Sequence, residues 1–305
     1  MLCPACGSKL GQRLHENVPD FEHGTPGTAT FDLCNSCGLV AQVPTPSSER
    51  LRSAYTQAYR AHTGTHAEQA VGARLVAWMT RVRAARIATH VVAKVPSRDA
   101  RILELGCGSG DLLNALRRRG YLHLRGFDQV TPARRDGIQL ETRDLDDKAR
   151  LGGPFDAIVM VYAIEHSLDP HSLLERCRDA LAPGGVIWLL TPNPASYAHN
   201  VFGRYWSGLH APRHPFLFTP RSVAAFAGQL GFRGVSFAYL ADPAGWALSL
   251  QNWLQPTTLG AAPPPHGTAW YTLAMLPAWY PVALAERWRG DSSGRGQAMA
   301  VTLTK

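Results

Sequence analysis

The sequence has no long hydrophobic run. No stretch reaches the roughly 18 to 20 unbroken apolar residues of a membrane-spanning helix. The first residues, MLCPACGSKL, have neither the basic start nor the apolar centre of a secretory signal. No internal repeat of about 20 to 50 residues occurs either, which excludes solenoid and propeller architectures. These absences predict a cytoplasmic globular protein.

Acidic residues are scarce relative to basic ones. The 305-residue chain carries 23 Asp and Glu against 31 Lys and Arg, a formal net charge of +8. Such a balance favours an anionic partner: nucleic acid, a nucleotide-linked or phosphorylated substrate, or an acidic membrane face. A solvated basic surface explains the charge equally well, so charge alone identifies no partner. The hydrophobic fraction of 45% is enough for one good core and a small second module.

Only six cysteines are present, and four of them form two pairs in CPACG and CNSCGLV. In each CxxCG turn the two sulfurs point at one spot, and two such turns supply the four ligands of a tetrahedral Zn²⁺ site. In a cytosolic chain this spacing indicates metal rather than disulfides. The pattern predicts a structural zinc site in a zinc-ribbon-like module over residues 1–44. The ligands would be Cys3, Cys6, Cys34 and Cys37.

Further along the chain, strand and helix patterns alternate. Strands are predicted at 101–105, 122–128, 138–142, 155–162, 185–191, 232–240 and 298–304, and helices at 67–92, 110–119, 170–182 and 219–230. This order predicts an α/β fold with a seven-stranded, mostly parallel, doubly wound sheet covered by helices. Between residues 128 and 138 there is room for little more than a turn, so one crossover helix should be missing or short.

The predicted organisation has five parts: the module at 1–44, a linker and leading helix at 45–97, a core at 98–241, an insertion at 242–297 and a last strand at 298–305. If the last two strands pair as a hairpin, the last strand runs antiparallel and the insertion lies at the hairpin tip. A structureless loop of that size is improbable, so the insertion should be helical.

The stretch ILELGCGSGDLL is the most informative one in the chain. It reads ExGxGxG, with Glu104 before Gly106, Gly108 and Gly110, whereas a dinucleotide-binding turn reads GxGxxG. An acidic residue at the strand end would repel a phosphate. The turn therefore favours a cationic ligand.

Residues 98–240 resemble a class I S-adenosylmethionine-dependent methyltransferase. The resemblance rests on LELGCGSG, GFD, FDAIVMVYAIEHSLDP and LAPGGVIWLLTPNP, in this order. It implies a Rossmann-like fold and S-adenosylmethionine as the cofactor. The cofactor-binding residues it implies are Glu104, Gly106, Cys107, Gly108, Gly110, Asp128, Gln129, Asp144 and Tyr162.

Within this resemblance, Glu104 lies near the methionyl ammonium, Asp128 binds the ribose hydroxyls and Asp144 contacts the adenine amino group. Tyr162 lines the reactive side of the cofactor. Simpler interpretations exist for each residue taken alone: Asp128 as a strand-end cap, Asp144 as a solvated loop acid, and Cys107 as a small packing residue.

Four further residues are candidates for the chemistry. His166 follows the fourth strand of the core, at the edge where ligands bind in open parallel sheets, and is the first candidate for a general base. Alternatively, Glu165 and His166 only brace their loop. His210, Arg213 and His214 lie in WSGLHAPRHPFLFTP, where Arg213 could hold a carboxylate or phosphate. The alternative is a loop fixed by histidine-to-backbone hydrogen bonds.

The tail at 270–289 is aromatic and basic, with Trp270, Tyr271, Trp279, Tyr280 and Trp288 near Arg287 and Arg289. It is too short and too interrupted by proline to span a bilayer, but its composition fits peripheral contact with the inner membrane surface. Packing in a core or a dimer is the alternative.

The sequence thus predicts methyl transfer from S-adenosylmethionine to a small molecule: a sugar, a nucleotide-linked or lipid-linked glycan precursor, or a natural-product intermediate. The zinc module resembles that of deoxysugar C-methyltransferases and could place Tyr55 or Tyr59 over the site.

One alternative is an RNA methyltransferase that binds RNA through the zinc ribbon, although the basic residues of the module, Lys9, Arg13 and His15, are sparse for that purpose. Another is a non-catalytic, cofactor-binding assembly protein.

Overall fold

A computed structural model of the chain describes residues 1–55, 71–129, 137–254 and 270–305. Three sequence predictions fall outside these residues: the position of Tyr59, the crossover between residues 129 and 137, and the Pro-rich link of the insertion. The side chains of Val71, Leu75, Trp270 and Tyr271 also lie outside the described part.

The described chain contains eleven strands in two sheets. They are β1 (Gln12–Pro19), β2 (Thr28–Leu33), β3 (Val40–Gln42), β4 (Arg101–Leu105), β5 (His123–Asp128), β6 (Gln139–Thr142), β7 (Phe155–Val161), β8 (Leu181–Pro192), β9 (Phe216–Leu217), β10 (Gly234–Leu240) and β11 (Ala298–Thr304). The helices are α1 (Ser48–Ala54), α2 (Val71–Lys94), α3 (Asp111–Arg117), α4 (Pro170–Ala180), α5 (Tyr197–Phe202), α6 (Pro220–Gln229), α7 (Pro243–Leu254) and α8 (Trp270–Ser293).

The large sheet has the strand order β10-β11-β8-β7-β4-β5-β6. All neighbours from β8 to β6 pair in parallel, while β11 runs antiparallel to both β8 and β10. The predicted seven-stranded sheet with an antiparallel last strand is therefore confirmed. Starting from β4, the chain first adds β5 on one side of β4 and later adds β7 on the other side, so the strand order changes direction at β4.

Open α/β sheets bind ligands in the crevice at the carboxyl end of the strands where this change of direction occurs.

Alternating residues along the strands face two separate hydrophobic cores. Leu103 and Leu105 of β4 belong to the core under α4 and α6, whereas Ile102 of the same strand belongs to the core under α2 and α3. Both faces of the sheet are therefore covered by helices, as an all-parallel centre requires.

The N-terminal module does not form a sheet of its own. Its strands pair in the order β1-β2-β3, and the fourth strand of this sheet is β9, which lies far along the chain. Val40 pairs with Leu217 and Ala41 with Phe216. Cys3 and Leu39 join the core under α4 and α6. A segment this short shares the core of the larger fold instead of burying one alone.

The insertion before the last strand is helical, as predicted. Leu240 pairs directly with Ala298, so α7 and α8 lie at the tip of the β10–β11 hairpin. Trp246 of α7 stacks on Trp279 of α8 at 5.5 Å between ring centroids. None of the helices in the described residues combines the length and hydrophobicity that a membrane-spanning segment needs.

Candidate active site

The turn between β4 and α3 has the backbone shape that its glycines permit. Gly106, Gly108 and Gly110 have φ values of 71°, 51° and 74°, a region that residues with a Cβ rarely adopt. A Cβ on Gly106 would lie 2.7 Å from the Cβ of Ala163, which follows β7. The amides of Gly106 and Cys107 both donate to the carbonyl of Phe127 on β5. The missing Cβ of Gly106 thus lets the turn pack against Ala163 at the carboxyl end of β4.

The carboxyl group of Glu104 is buried in this crevice. It is 3% exposed, and among the described residues its Oε2 has no hydrogen-bond partner. Burial raises the pKa of Glu104 well above its usual value, and the charges of Asp128 and Asp111 raise it further. A buried polar atom without a partner is costly unless a ligand supplies one. The residue therefore fits a cationic ligand group such as an ammonium.

Asp128 ends the neighbouring strand and faces the same turn. Its Oδ2 accepts a 2.7 Å hydrogen bond from the amide of Gly108, and it is buried. Its charge raises the pKa of Glu104, so the two carboxylates act on one region. We call Glu104, Gly106, Gly108, Gly110 and Asp128 the glycine-loop site.

Three other predicted cofactor residues lie in different environments. Cys107 is buried, and its sulfur packs toward Gly126 of β5, consistent with a packing role. Gln129 is exposed directly after Asp128. Asp144 is exposed, and its Oδ1 accepts from the amide of Asp146, two residues on. Contact of these residues with a cofactor stays a prediction.

Tyr162 adopts an unusual backbone conformation at the end of β7. Its φ is 51°, in the left-handed region, which for a bulky residue costs free energy and is frequent near functional sites. The guanidinium of Arg83 on α2 lies 4.9 Å from the centroid of the Tyr162 ring. Arg83 was not among the sequence candidates. Its position in the apolar pattern of α2 does not indicate that its side chain reaches the end of β7.

Glu165, His166 and His214 converge beside this edge, with one potential ligand atom from each within 4.8 Å of the others. Glu165 is fully buried and accepts from Thr191 Oγ1 at 3.1 Å. Burial raises the pKa of Glu165 to about 8, so this carboxyl is mostly protonated at neutral pH. The donor set is one that either proton transfer or a divalent metal could use.

His166 is oriented by two neighbours from other parts of the chain. Its Nδ1 lies 2.9 Å from the carbonyl oxygen of Arg213 and 2.7 Å from the Tyr55 hydroxyl. A carbonyl only accepts, so Nδ1 carries the proton and Nε2 keeps its lone pair. Burial lowers the pKa of His166 to about 4. His214 shows the same arrangement, because its Nδ1 lies 2.8 Å from the carbonyl of Gly208.

Arg213 makes structural contacts that the sequence did not predict. It is 0% exposed, and its guanidinium donates to Asp20 at 2.9 Å, to Thr25 and to the carbonyl of Ala54. These contacts use Nε and Nη2 and tie the loop to the N-terminal module and α1. Contact of Arg213 with a substrate carboxylate or phosphate stays a prediction. We call the contacts of Arg213 with Asp20, Thr25 and Ala54 the module junction.

The four cysteines form a compact cluster. Sγ atoms of Cys3 and Cys37, and of Cys6 and Cys34, lie 3.5 Å apart, and all four lie within 4.8 Å of one another. Tetrahedral Zn²⁺ with bonds of about 2.3 Å holds its sulfurs about 3.8 Å apart. Both turns close in the same way, with Gly7 donating to the Cys3 carbonyl and Gly38 to the Cys34 carbonyl. The residues fit a structural zinc ion.

The tail aromatics divide into two groups. Trp279 packs against Trp246, whereas Trp288 is 78% exposed on α8. The guanidinium of Arg86 on α2 lies 5.9 Å from the Tyr280 ring centroid. Packing thus accounts for Trp279, and membrane contact through the tail stays a prediction.

A seven-stranded Rossmann-like sheet with an ExGxGxG turn after its first strand and a carboxylate on each of two neighbouring strand ends defines the class of methyltransferases. Residues 77–236, just over half of the chain, match the family described as Methyltransferase domain. The chain belongs to this family and is an S-adenosylmethionine-dependent methyltransferase.

Two sequence relatives and one solved structure are similar to this chain. The ubiquinone biosynthesis O-methyltransferase of Dinoroseobacter shibae is 30% identical over 195 residues, which cover 56% of this chain and 77% of the relative. The enzyme of the same name from Cereibacter sphaeroides (strain ATCC 17025) is 28% identical over 196 residues, 57% of this chain and 77% of the relative. A solved methyltransferase from Archaeoglobus fulgidus is similar with a TM-score of 0.47 and 16% identity, over 74% of this chain and 94% of the other.

Proposed function

We propose that the protein methylates a hydroxyl group of a small molecule. The observation that carries this proposal is the convergence of Glu165, His166 and His214 at the strand edge that also holds the glycine-loop site. A hydroxyl acceptor must lose a proton on methylation, and we assign acceptance of this proton to the His166 imidazole. The names of the two relatives, both O-methyltransferases, support oxygen as the accepting atom.

S-adenosylmethionine, when bound, supplies a methyl group activated by its sulfonium sulfur. The residues that would hold it are those of the glycine-loop site. Glu104 would accept from the ammonium group, and Asp128 would accept from the ribose hydroxyls. The positive φ values of Gly106, Gly108 and Gly110 would allow the turn to bring its backbone beside the ligand. Because methyl transfer is an in-line displacement, alignment by these residues supplies much of the rate enhancement.

His166 acts as the general base in this proposal. Its low pKa keeps the ring neutral at pH 7, so it is in the form that accepts a proton. Tyr55 and the Arg213 carbonyl fix the orientation of the ring through Nδ1. Glu165 holds its own proton at this pH and therefore positions the loop instead of competing for the acceptor proton.

The zinc ion proposed for the four cysteines is structural. It holds the two CxxCG turns of the N-terminal module. The segment that follows the module contains α1, which carries the carbonyl of Ala54, and then Tyr55. This segment contributes the Tyr55 hydroxyl to the active edge, while the metal lies in a separate cysteine cluster.

The experiment supplies S-adenosylmethionine labelled in its methyl group together with a panel of phenols, sugars and nucleotide-linked sugars. At least one hydroxyl compound should become labelled, and His166→Ala should lower its turnover by about 10²-fold or more. His123→Ala is the matched control, because His123 is exposed at the opposite end of β5. A loss below threefold in His166→Ala would assign His166 to loop bracing. Labelling of RNA with a log-log salt slope of about −0.7 per phosphate contact would replace the small-molecule proposal.

A further inference from the structure

A second cluster of metal-ligating side chains lies outside the residues assigned to methyl transfer. It consists of Glu22 and His23, in the turn between β1 and β2, and His210, in the loop before β9. One ligand atom from each lies within 4.8 Å of the others, and all three side chains are half-buried. We propose that these three residues bind a divalent transition metal ion, separate from the ion held by the cysteines.

The distance between Glu22 and His210 fits two ligands of one metal ion better than a direct hydrogen bond. Glu22 Oε2 and His210 Nε2 are 3.9 Å apart, which is too long for a hydrogen bond. Ligands bound to Zn²⁺ at about 2.0 to 2.2 Å are separated by about 3.4 Å in tetrahedral geometry and by more at wider angles. The rings of His23 and His210 stack with centroids 5.8 Å apart and an angle of 28°. Small side-chain rotations would bring all three atoms to one ion.

The backbone under these ligands is held in place before any ion binds. The Asp20 carboxylate accepts from the amides of Glu22, His23 and Thr25 at 3.0 to 3.2 Å. Arg213 donates its side chain to Asp20 and its amide to the carbonyl of His210. One buried ion pair therefore fixes the turn and the loop that carry the three ligands. Preorganised ligands lose less conformational entropy when a metal binds.

The donor set indicates the kind of ion. Two imidazoles and one carboxylate suit Zn²⁺ and Co²⁺, and three protein ligands leave a fourth position for water. A cavity of about 10 Å³, lined in part by Glu22, His210 and Asn252, lies beside the cluster. A cavity of about this size can hold one water molecule. The arrangement is an open site, in contrast to the closed set of four cysteines.

The position of the cluster indicates what the ion would do. It would tie the β1–β2 turn of the N-terminal module to the loop that carries His214. The rings of His210 and His214 are in T-shaped contact at 4.9 Å, and those of His214 and His166 at 4.7 Å. Metal binding would therefore stabilise docking of the module against the active edge. This inference concerns metal binding and does not rest on the identity of the methyl acceptor.

The test titrates Co²⁺ into full-length protein whose cysteine site is loaded with Zn²⁺, and follows visible absorption and heat. We expect one further equivalent to bind without a thiolate-to-cobalt charge-transfer band, and to raise the melting temperature. His23→Gln and Glu22→Gln should each weaken this binding at least tenfold, whereas His123→Gln should bind as the wild type does.

Melting of each variant without added Co²⁺ should match the wild type and so separates metal loss from misfolding. The inference is overturned if the wild-type protein binds no further equivalent. It is also overturned if both His23→Gln and Glu22→Gln bind Co²⁺ with unchanged affinity.

Discussion

The glycine-loop site and the module junction both bury acidic side chains, but the two sites differ in whether a described residue pairs with the buried acid. At the module junction, Asp20 and Arg213 pair at 2.9 Å with both side chains nearly inaccessible to solvent. At the glycine-loop site, Glu104 is equally buried, yet its Oε2 has no partner among the described residues. At the module junction the chain itself supplies the counter-charge, whereas at the glycine-loop site we propose that the cationic cofactor supplies it.

The pKa values of the two acids express this difference. Burial alone would raise the pKa of Asp20, but the charge and hydrogen bonds of Arg213 hold it below its usual value. For Glu104, burial and the neighbouring acids all raise the pKa, and the described residues provide no adjacent cation to oppose them. The junction is thus stable as it stands, while the glycine-loop site is stabilised when its ligand binds.

The largest effect should come from the zinc ion that we propose for the four cysteines. Cys34→Ser should abolish zinc binding and remove up to about 10 kcal/mol of stabilisation, because the short module depends on its metal. Elemental analysis and limited proteolysis of the N-terminal module would measure both effects. Cys177→Ser, a buried cysteine of α4 outside the cluster, should keep one zinc per chain. Equal zinc content in wild type and Cys34→Ser would contradict the cysteine site.

Breaking the module junction should have the next largest effect. Arg213→Met leaves Asp20 as an uncompensated buried charge, which should cost about 3 to 5 kcal/mol. Urea unfolding would measure the loss. Arg221→Met is the matched control, because Arg221 is an exposed side chain of α6 whose guanidinium contacts the Ser36 carbonyl of the module at the surface. A loss below about 1 kcal/mol in Arg213→Met would show that the ion pair does not fix the junction.

The docking of the module should also depend on pH. His15 of β1 and His199 of α5 share a 2.8 Å contact between their Nε2 atoms. Because His199 Nδ1 lies 2.6 Å from the Pro194 carbonyl, His199 presents a lone pair and His15 donates. Burial and the neighbouring His199 lower the pKa of His15 to about 4, and burial lowers that of His199.

Both rings are therefore neutral when folded and take up protons more readily when unfolded. Stability should fall as the pH decreases from about 6.5 to 4, by at most about 1.4 kcal/mol per pH unit for each histidine. Glu165 changes stability in the opposite sense, since its pKa is raised, so the difference between wild type and His15→Gln isolates the pair. Identical pH profiles of unfolding for the two proteins would contradict this account.

The smallest effect on the folded protein should come from the glycine-loop site. Asp128→Ala should weaken S-adenosylmethionine binding at least tenfold, about 1.4 kcal/mol, while the melting temperature without cofactor changes little. Equilibrium dialysis with labelled cofactor would measure the affinity. Unchanged affinity would mean that Asp128 does not contact the cofactor.

The glycine-loop site was predictable from the sequence because its residues lie at strand ends that hydrophobic alternation locates. Glu104 and Asp128 end β4 and β5, and parallel strands bring such ends together. The alternation of strands and helices also predicted a mostly parallel sheet, whereas the order of its strands comes from the structure. One strand start differs from the prediction, since β8 begins at Leu181, four residues before the predicted start.

The module junction was not predictable, because its contacts join residues far apart in the sequence. Asp20 and Arg213 are 193 residues apart, and no periodic pattern links them. The two-residue strand β9 carries too little pattern to reveal that it completes the N-terminal sheet. The contact of Arg213 with Asp20 is therefore visible only in the structure. Tyr55 was predicted to lie over the site, but its contact with His166 depends on this same docking.

Calorimetric titration of S-adenosylmethionine into wild-type protein and Glu104→Gln, with melting curves of both proteins without cofactor, tests the central claim most directly. If the carboxylate is retained for a cationic ligand, the variant should bind the cofactor at least tenfold more weakly and melt no earlier than the wild type. Equal affinity for the cofactor, or a lower melting temperature of the variant without it, would show that Glu104 serves the fold instead of the ligand.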